Sequence, residues 1–263
     1  MLNFTNKTIL VTGGAGVGVG GGVCSALDKL GAELIIVDKD EPKLVEAVAR
    51  YHQARGYTAD ISTFAGIDDL FAHLSHDFPQ IHGLVNNAGI GLSKEAHEAS
   101  EIDFDRLMAV NFKAVWRCSS RFAELLIQRG QTGQIVNISS IHAHSTQSKY
   151  ALYCSSKNAI QGLTMGMAVE LGKHGIRVNA VGPGYVHAEQ NFDLIRTWSN
   201  DPQDWVDRYR RHQQAIPRFI EAEDVGYTVA FLLSELARSI TGQTIFVDNG
   251  TTSLLFGRDF SEF

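Results

Sequence analysis

Seven short apolar runs recur along the chain, each followed by a stretch with helical spacing or a turn, and this alternation constrains the fold more than any other feature. The runs are Thr8–Val11, Glu33–Val37, Gly56–Ala59, Gly83–Val85, Gln134–Ile138, Ile176–Ala180 and Gln243–Val247. Runs of this length, mostly apolar and bounded by turn residues, read as strands, and their lack of polar alternation reads as burial on both faces. The spacing between them predicts helices over Val23–Leu30, from Pro42 onward, and over Ile67–His76, Ile102–Arg129, Tyr153–Lys173 and Asp224–Leu236. Right-handed crossovers put such helices above and below a sheet. The expectation is an α/β, doubly wound fold: a seven-stranded parallel sheet with helices on both faces. Ligands bind such sheets at the carboxyl ends of the strands, where the strand order reverses.

The chain has 263 residues, 44% of them hydrophobic, which suffices for one large core. No repeat, low-complexity tract or linker divides it, so residues 1–263 are expected to form a single domain. The long irregular segment at about 184–217 carries Trp198, Trp205 and Tyr209, and reads as a substrate lid or as a peripheral helical excursion packing its aromatics. A formal charge of −6 gives no electrostatic reason to expect nucleic acid. The basic run Arg208, Arg210 and Arg211 is interleaved with Asp204 and Asp207 and reads as a solvated helix face. Three cysteines without a CxxC pair fit a reducing compartment, so the cytoplasm is expected. No basic leader with an apolar run opens the chain, and no stretch is long enough to span a bilayer, so a soluble protein with no membrane partner is expected.

Chemistry gathers at the strand ends. The first strand runs into Thr12-Gly13-Gly14-Ala15-Gly16-Val17-Gly18-Val19-Gly20-Gly21-Gly22, which opens the first helix. Glycines there let the backbone approach a pyrophosphate, and the helix start offers unpaired N–H groups and a partial positive charge. Together with the βα alternation, this makes the fold Rossmann-type. Asp38 ends the second strand about twenty residues later, where a carboxylate accepts hydrogen bonds from the ribose hydroxyls of NAD and repels the 2′-phosphate of NADP. Lys39 beside it softens that preference. Tyr153 and Lys157, four residues apart on a helix, share one face. A cation near a tyrosine hydroxyl favours the phenolate and brings its pKa down from about 10 toward neutrality. Ser140 can hydrogen-bond the same substrate oxygen, and Asn111 can hold a proton-relay water. His142 and His144 form a His-x-His pair without further ligands at regular spacing, so no metal site is expected.

The segments Thr12 to Gly20, Asn86-Asn87-Ala88-Gly89, Asn111, Ser139-Ser140, Tyr153-x-x-x-Lys157 and Pro183-Gly184 occur in the order and spacing of the short-chain dehydrogenase/reductase family. The chain resembles its compact, single-domain form over nearly its whole length. The resemblance implies hydride transfer between a nicotinamide cofactor and an alcohol or ketone, with Tyr153 as general acid/base. It also implies that Lys157 lowers the pKa of Tyr153 and holds the nicotinamide ribose, that Ser140 positions the substrate oxygen, and that Asn111 supports the relay. The family spacing of 13 residues back from the tyrosine selects Ser140 over Ser139, and Tyr150 lacks a lysine four residues on. Implied cofactor contacts are Gly14, Gly18, Val19 and Gly20 of the loop, Asp38, Asp60 with Ile61, Asn87, Ala88 and Gly89, Tyr153 and Lys157, and Pro183, Gly184 and Val186. Asn86 and Asn87 can equally tie strands together, and Asp60 can cap a turn.

Two departures stand out. Counted from Thr12, the family's TGxxxGxG requires glycines where Val17 and Val19 stand, and taking Gly18 and Gly20 as equivalents leaves one extra residue in the loop. The longer relatives' TGxxGxxG fits Gly13 and Gly16 but fails at Val19. Ala188 replaces the threonine that often bonds the nicotinamide carboxamide, leaving backbone groups or His187 to orient the ring. His142, His187 and Trp198 are the expected substrate contacts. The polar loop after Ser140 suggests a hydroxylated substrate such as a sugar or polyol. The alternatives are an NADPH-dependent ketoacyl reductase, a hydroxysteroid or cyclic-ketone reductase, and an NAD-sensing protein without turnover. The long helices resemble the family's dimerising pair, so a homotetramer or homodimer is expected.

Overall fold

The strand β1 (Thr8–Thr12) is buried at every residue, as a run without polar alternation requires. It lies between β2 (Glu33–Asp38) and β4 (Gly83–Asn86), parallel to both. With β3 (Ala54–Thr58), β5 (Gly133–Ile138), β6 (Ile176–Pro183) and β7 (Thr244–Val247), it forms a seven-stranded parallel sheet in the order β3-β2-β1-β4-β5-β6-β7. All seven runs read from the sequence are strands. The computed structural model describes residues 2–187, 192 and 195–258.

Alternation of side chains across the sheet builds two cores. Ile9, Val11, Leu34 and Ile36 face one side, where they meet Val23 and Leu27 of α1 (Val19–Lys29) and Val225 and Val229 of the helix at Ala222–Leu233. Leu10, Ile35, Ile135 and Val178 face the other, against Leu74 of α3 (Phe64–Asp77) and Phe122 of α5 (Ala114–Gln128). Each such fully buried aliphatic or aromatic side chain contributes about 1.5–3 kcal/mol. Further helices are α2 (Glu41–Val48), α4 (Glu101–Met108), α6 (Ala151–Leu171), α7 (Pro202–His212) and α8, the Ala222–Leu233 helix already met.

Three differences from the sequence expectation have physical causes. Helix α1 begins at Val19 rather than Val23, because Gly20, Gly21 and Gly22 are helical. A side chain on Gly22 would collide with the backbone of Ala222, and one on Gly226 with the carbonyl of Gly22, so the glycines let α1 and α8 touch. The helix expected over 102–129 is broken by a π-helical turn, Ala109–Lys113, which carries Asn111. The segment expected to be irregular contains α7, whose start is marked by an Asp201 N-cap and by Pro202 in the first turn. Strand order reverses between β1 and β4, and this puts the crevice between the glycine loop and Asn87-Ala88-Gly89.

Candidate active site

At the carboxyl ends of the strands lies one cavity of about 1410 Å³, larger than the roughly 300–1,000 Å³ of an ordinary small-ligand pocket. It has room for a dinucleotide and a second molecule.

One end is built from the loop after β1. Gly13 adopts φ 65°, and the Cα of Ala88 lies 2.8 Å from where its side chain would be. Asn87 donates its side-chain amide to the carbonyls of Thr12 at 3.0 Å and Gly13 at 2.9 Å, while the N–H groups of Asn87 and Ala88 donate to the Thr12 hydroxyl. This stitches the loop to the end of β4. Gly18, the N-cap of α1, lines the cavity with Val19 and Gly20. Gly14 does not: its Cα faces Cys24 and Ile36 in the core, so its role is packing beneath the loop. Val17 is 60% exposed and does not line the cavity. The extra length therefore bulges outward, and Arg50 braces it by donating to the Ala15 carbonyl at 3.1 Å.

Asp38, Asp60 and Ile61 line the same end, with Lys39 and Lys43 beside them. Asp38 lines the cavity and accepts from the N–H of Asp40 at 3.2 Å. Ser62 holds the Asp60 carboxyl below the usual range, first through its hydroxyl and then through its N–H, which donates to Asp60 at 3.0 Å. Open glycine backbone at a helix start and a carboxylate at the end of the next strand fit a dinucleotide.

The other end holds the reactive groups. Tyr153 lies in the first turn of α6 and Lys157 one turn on, both lining the cavity with Ser140. Burial pushes the Tyr153 pKa up, and its hydrogen bond with Ser140 opposes this. Lys157 is brought down to about 8, also by burial. Its ammonium donates to the Ile138 carbonyl at 3.1 Å and stands 5.8 Å from the centre of the Tyr153 ring. Ser140 accepts from the N–H of His142. Ser139 instead donates to the carbonyl of Lys157 at 3.0 Å, a bond that holds α6 against the end of β5. Asn111 is fully buried behind Gly89 and does not itself line the cavity, although its Oδ1 lies 3.4 Å from the position of a Gly89 side chain. Asn86 links to Ser119 and Asn137 and lies beneath the site.

Pro183, Gly184 and Val186 line the cavity at the end of β6. His142 also lines it, stacked on Tyr150 at 4.7 Å and edge-on to Tyr153 at 5.5 Å, and burial lowers its pKa. Trp198 packs against Tyr150. His187 is not brought to the cavity: its ring stacks on Phe219 at 4.4 Å, because the chain at Val186 is bridged to Ile220 and turns that side chain away. Ala188 lies outside the described residues. Among the described residues no cluster of three or more His, Cys, Asp or Glu can hold a metal, and no helix is long and apolar enough to cross a membrane.

A family model described as enoyl-(acyl carrier protein) reductase matches residues 14–252. An L-xylulose reductase of Caenorhabditis elegans is 37% identical over 255 residues, covering 94% of this chain and 96% of the relative. The chain belongs to the short-chain dehydrogenase/reductase family. Carbonyl reductase [NADPH] 2 of Sus scrofa is 33% identical, over 95% of this chain and 98% of that one. The crystal structure of a gluconate 5-dehydrogenase from Burkholderia cenocepacia, in complex with NADP and tartrate, superimposes with a TM-score of 0.87 at 28% identity over 97% and 98% of the two chains. As a short-chain dehydrogenase/reductase the protein is an oxidoreductase that uses a nicotinamide cofactor and interconverts alcohols and ketones.

Sequence reasoning placed Trp205 and Tyr209 in a candidate lid without naming them as contacts, and missed other residues of this dehydrogenase's cavity. Tyr150, set aside as a base, forms its wall, and Tyr185, Trp205, Arg208, Tyr209 and His212 line it as well. The last four were legible as one helical face, at spacings of three, four and seven residues. The Arg208 run reads as a solvated helix face, and the Arg208 side chain is 71% exposed, but it borders the cavity as well.

Proposed function

We propose that the protein interconverts a secondary alcohol and a ketone on a polar hydroxylated substrate, a sugar or polyol, with NAD as the cofactor. The observation that carries this reading is the meeting of Ser140, Tyr153 and Lys157 in the same cavity that the glycine loop and Asp38 line at its other end. The bound nicotinamide supplies hydride acceptance and donation. Tyr153 Oη takes the proton of the substrate hydroxyl in oxidation and returns it in reduction. Ser140 Oγ holds the substrate oxygen, and the Lys157 ammonium, still mostly protonated at pH 7 with a pKa of about 8, favours the phenolate. Asn111 positions this group from behind. Gly18, Val19 and Gly20 would hold the pyrophosphate, Asp38 the adenosine ribose, and Lys157 the nicotinamide ribose.

Support for a hydroxylated substrate comes from His142, Ser145, Thr146 and Gln147, which supply donors and acceptors to the cavity, and from the names of the sugar-converting relatives. Support for NAD comes from Asp38. Lys39 and Lys43 at the same end, and relatives named with NADPH or bound to NADP, favour a second reading in which NADPH drives reduction. Exposed Trp116, Met165 and Val169 on α5 and α6 support a homodimer or homotetramer. Reduced nicotinamide formed from NAD or NADP with a panel of sugars, polyols, cyclic alcohols and hydroxysteroids tests the proposal. Turnover of polyols with NAD by wild type but not by Tyr153→Phe supports it. Silence across the panel, with NAD binding measured by calorimetry, replaces it with a sensor.

A further inference from the structure

Helix α7 turns one face to the cavity: Trp205, Arg208, Tyr209 and His212, with Gln213 just beyond. On an ordinary surface helix this stripe is aliphatic. Here it mixes flat rings with hydrogen-bonding heads.

An unbroken aromatic wall joins the reaction centre to this face. Tyr153 meets His142, His142 stacks on Tyr150, and Tyr150 meets Trp198 at 6.3 Å. Trp198 meets Trp205 at 5.6 Å, and Trp205 packs on Tyr185 and Tyr209 at 5.7 and 5.4 Å. At its far end stand Tyr185 and His212, which line the cavity, while Tyr185 Oη and His212 Nδ1 are enclosed behind its surface with no hydrogen-bond partner among the described residues. Buried polar atoms are ordinarily satisfied, so a small turn of either side chain toward a polar ligand gains a hydrogen bond that its present surroundings do not supply.

Charge says which kind. The acidic residues lining the cavity, Asp38, Asp40 and Asp60, all lie at or just after the ends of β2 and β3, at the glycine-loop end. Among the described residues no carboxylate lines it beside α7, whereas Arg208 does. Among the described residues Arg208, its side chain 71% exposed at the cavity mouth, makes only a long 3.9 Å contact with Asp204, a pair of little worth that the guanidinium can exchange for a ligand anion.

We propose that this end of the cavity is a carboxylate subsite, and that the substrate is a hydroxylated acid of the sugar-acid type. Its C–H faces lie along the aromatic wall, and its carboxylate is received by Arg208, His212 and Tyr185. This rests on the reading of Tyr153 and Ser140 as an alcohol-oxidising centre.

D-gluconate and D-glucitol share a carbon chain and differ in one end group. Assayed with the intact enzyme and its cofactor, gluconate should show a kcat/KM roughly ten- to hundredfold above that of glucitol. Arg208→Gln should erase most of that ratio through the KM for gluconate. Tyr185→Phe, which removes an oxygen that has no partner among the described residues and so leaves the fold intact, should lower it in the same direction. Calorimetric titration of gluconate into protein saturated with reduced cofactor, a complex unable to oxidise it, should show the same dependence on Arg208. Gluconate that binds through Arg208 without being oxidised upholds the subsite and overturns the alcohol-oxidising reading. Glucitol turned over as well as gluconate, or gluconate binding unaltered in both variants, overturns the subsite and leaves that reading standing.

Discussion

Asn111 and Ile90 exchange a pair of hydrogen bonds: the Ile90 N–H donates to Asn111 Oδ1 at 2.8 Å, and Asn111 Nδ2 donates to the Ile90 carbonyl at 2.9 Å. The second amide hydrogen goes to Ser156 Oγ, whose own hydroxyl donates to the carbonyl of Tyr153. The π-helical turn thus ties the segment after β4 to the first turn of α6. With both amide hydrogens used, the carboxamide can only accept from a further partner, so a relay water held there must donate to it. Asn111→Leu leaves the Ile90 N–H and carbonyl unpaired, and should lower stability by about 2–4 kcal/mol and turnover by roughly tenfold or more. Urea unfolding and steady-state kinetics check this. Unchanged values for both would mean that packing alone holds the π turn.

Tyr153 is the one cavity hydroxyl with a hydrogen bond to Ser140 working against its burial. Tyr153→Phe should lose about two to four orders of magnitude in turnover while binding cofactor as before, measured by calorimetry. Ser140→Ala removes the influence that lowers the Tyr153 pKa, so the rise of oxidation with pH should move to higher pH. A pH profile of kcat/KM reads this directly, and an unmoved limb would remove Ser140 from the tuning of the base.

The seven strands were legible because a doubly covered sheet leaves a local signal, a run of apolar residues bounded by turn residues. The residues of the reaction centre were legible for a related reason: Tyr153 and Lys157 need only one helical turn between them. What was not legible depends on contacts between distant elements. Nothing local in Gly20-Gly21-Gly22 says that α8 presses on them and keeps them helical. The π turn at Ala109–Lys113 leaves no periodic trace. Gly14 belongs to a glycine-rich loop by sequence but to the core by position, and His187 sits beside the cavity by sequence while Phe219, 32 residues on, draws its ring away.

Asp38 stands with Asp40, Asp60, Lys39 and Lys43 at the adenosine end, so the cofactor preference is a contest between carboxylates and two ammonium groups. Lys43 is already paired with Asp40 at 2.9 Å, which leaves Asp38 the stronger influence on a 2′-phosphate. Asp38→Ala should raise the ratio of kcat/KM for NADP over NAD by roughly tenfold or more. An unchanged ratio would mean that Lys39 or the loop backbone sets the preference.

Lys157 links activity to stability with a defined sign. Burial brings its pKa from 10.5 down to about 8, so between those values the unfolded chain binds more protons at this site than the folded one. Its contribution to stability therefore rises with pH across that window. Below about pH 8 the buried charge opposes folding in full. Lys157→Met should abolish most turnover yet stabilise the cofactor-free protein at neutral pH by about 1–3 kcal/mol, the desolvation relieved less the hydrogen bond lost at the Ile138 carbonyl. The gain should shrink as pH rises from 8 toward 10. Cys24 and Cys118, which burial raises to about 12, bind their protons more tightly when folded and pull stability down above about pH 9. They do so equally in both proteins, so the difference between wild type and variant isolates the lysine. Chemical denaturation of the pair across this range is the measurement, and a difference that stays flat from pH 7 to 10 would show that Lys157 keeps an ordinary pKa in the folded protein.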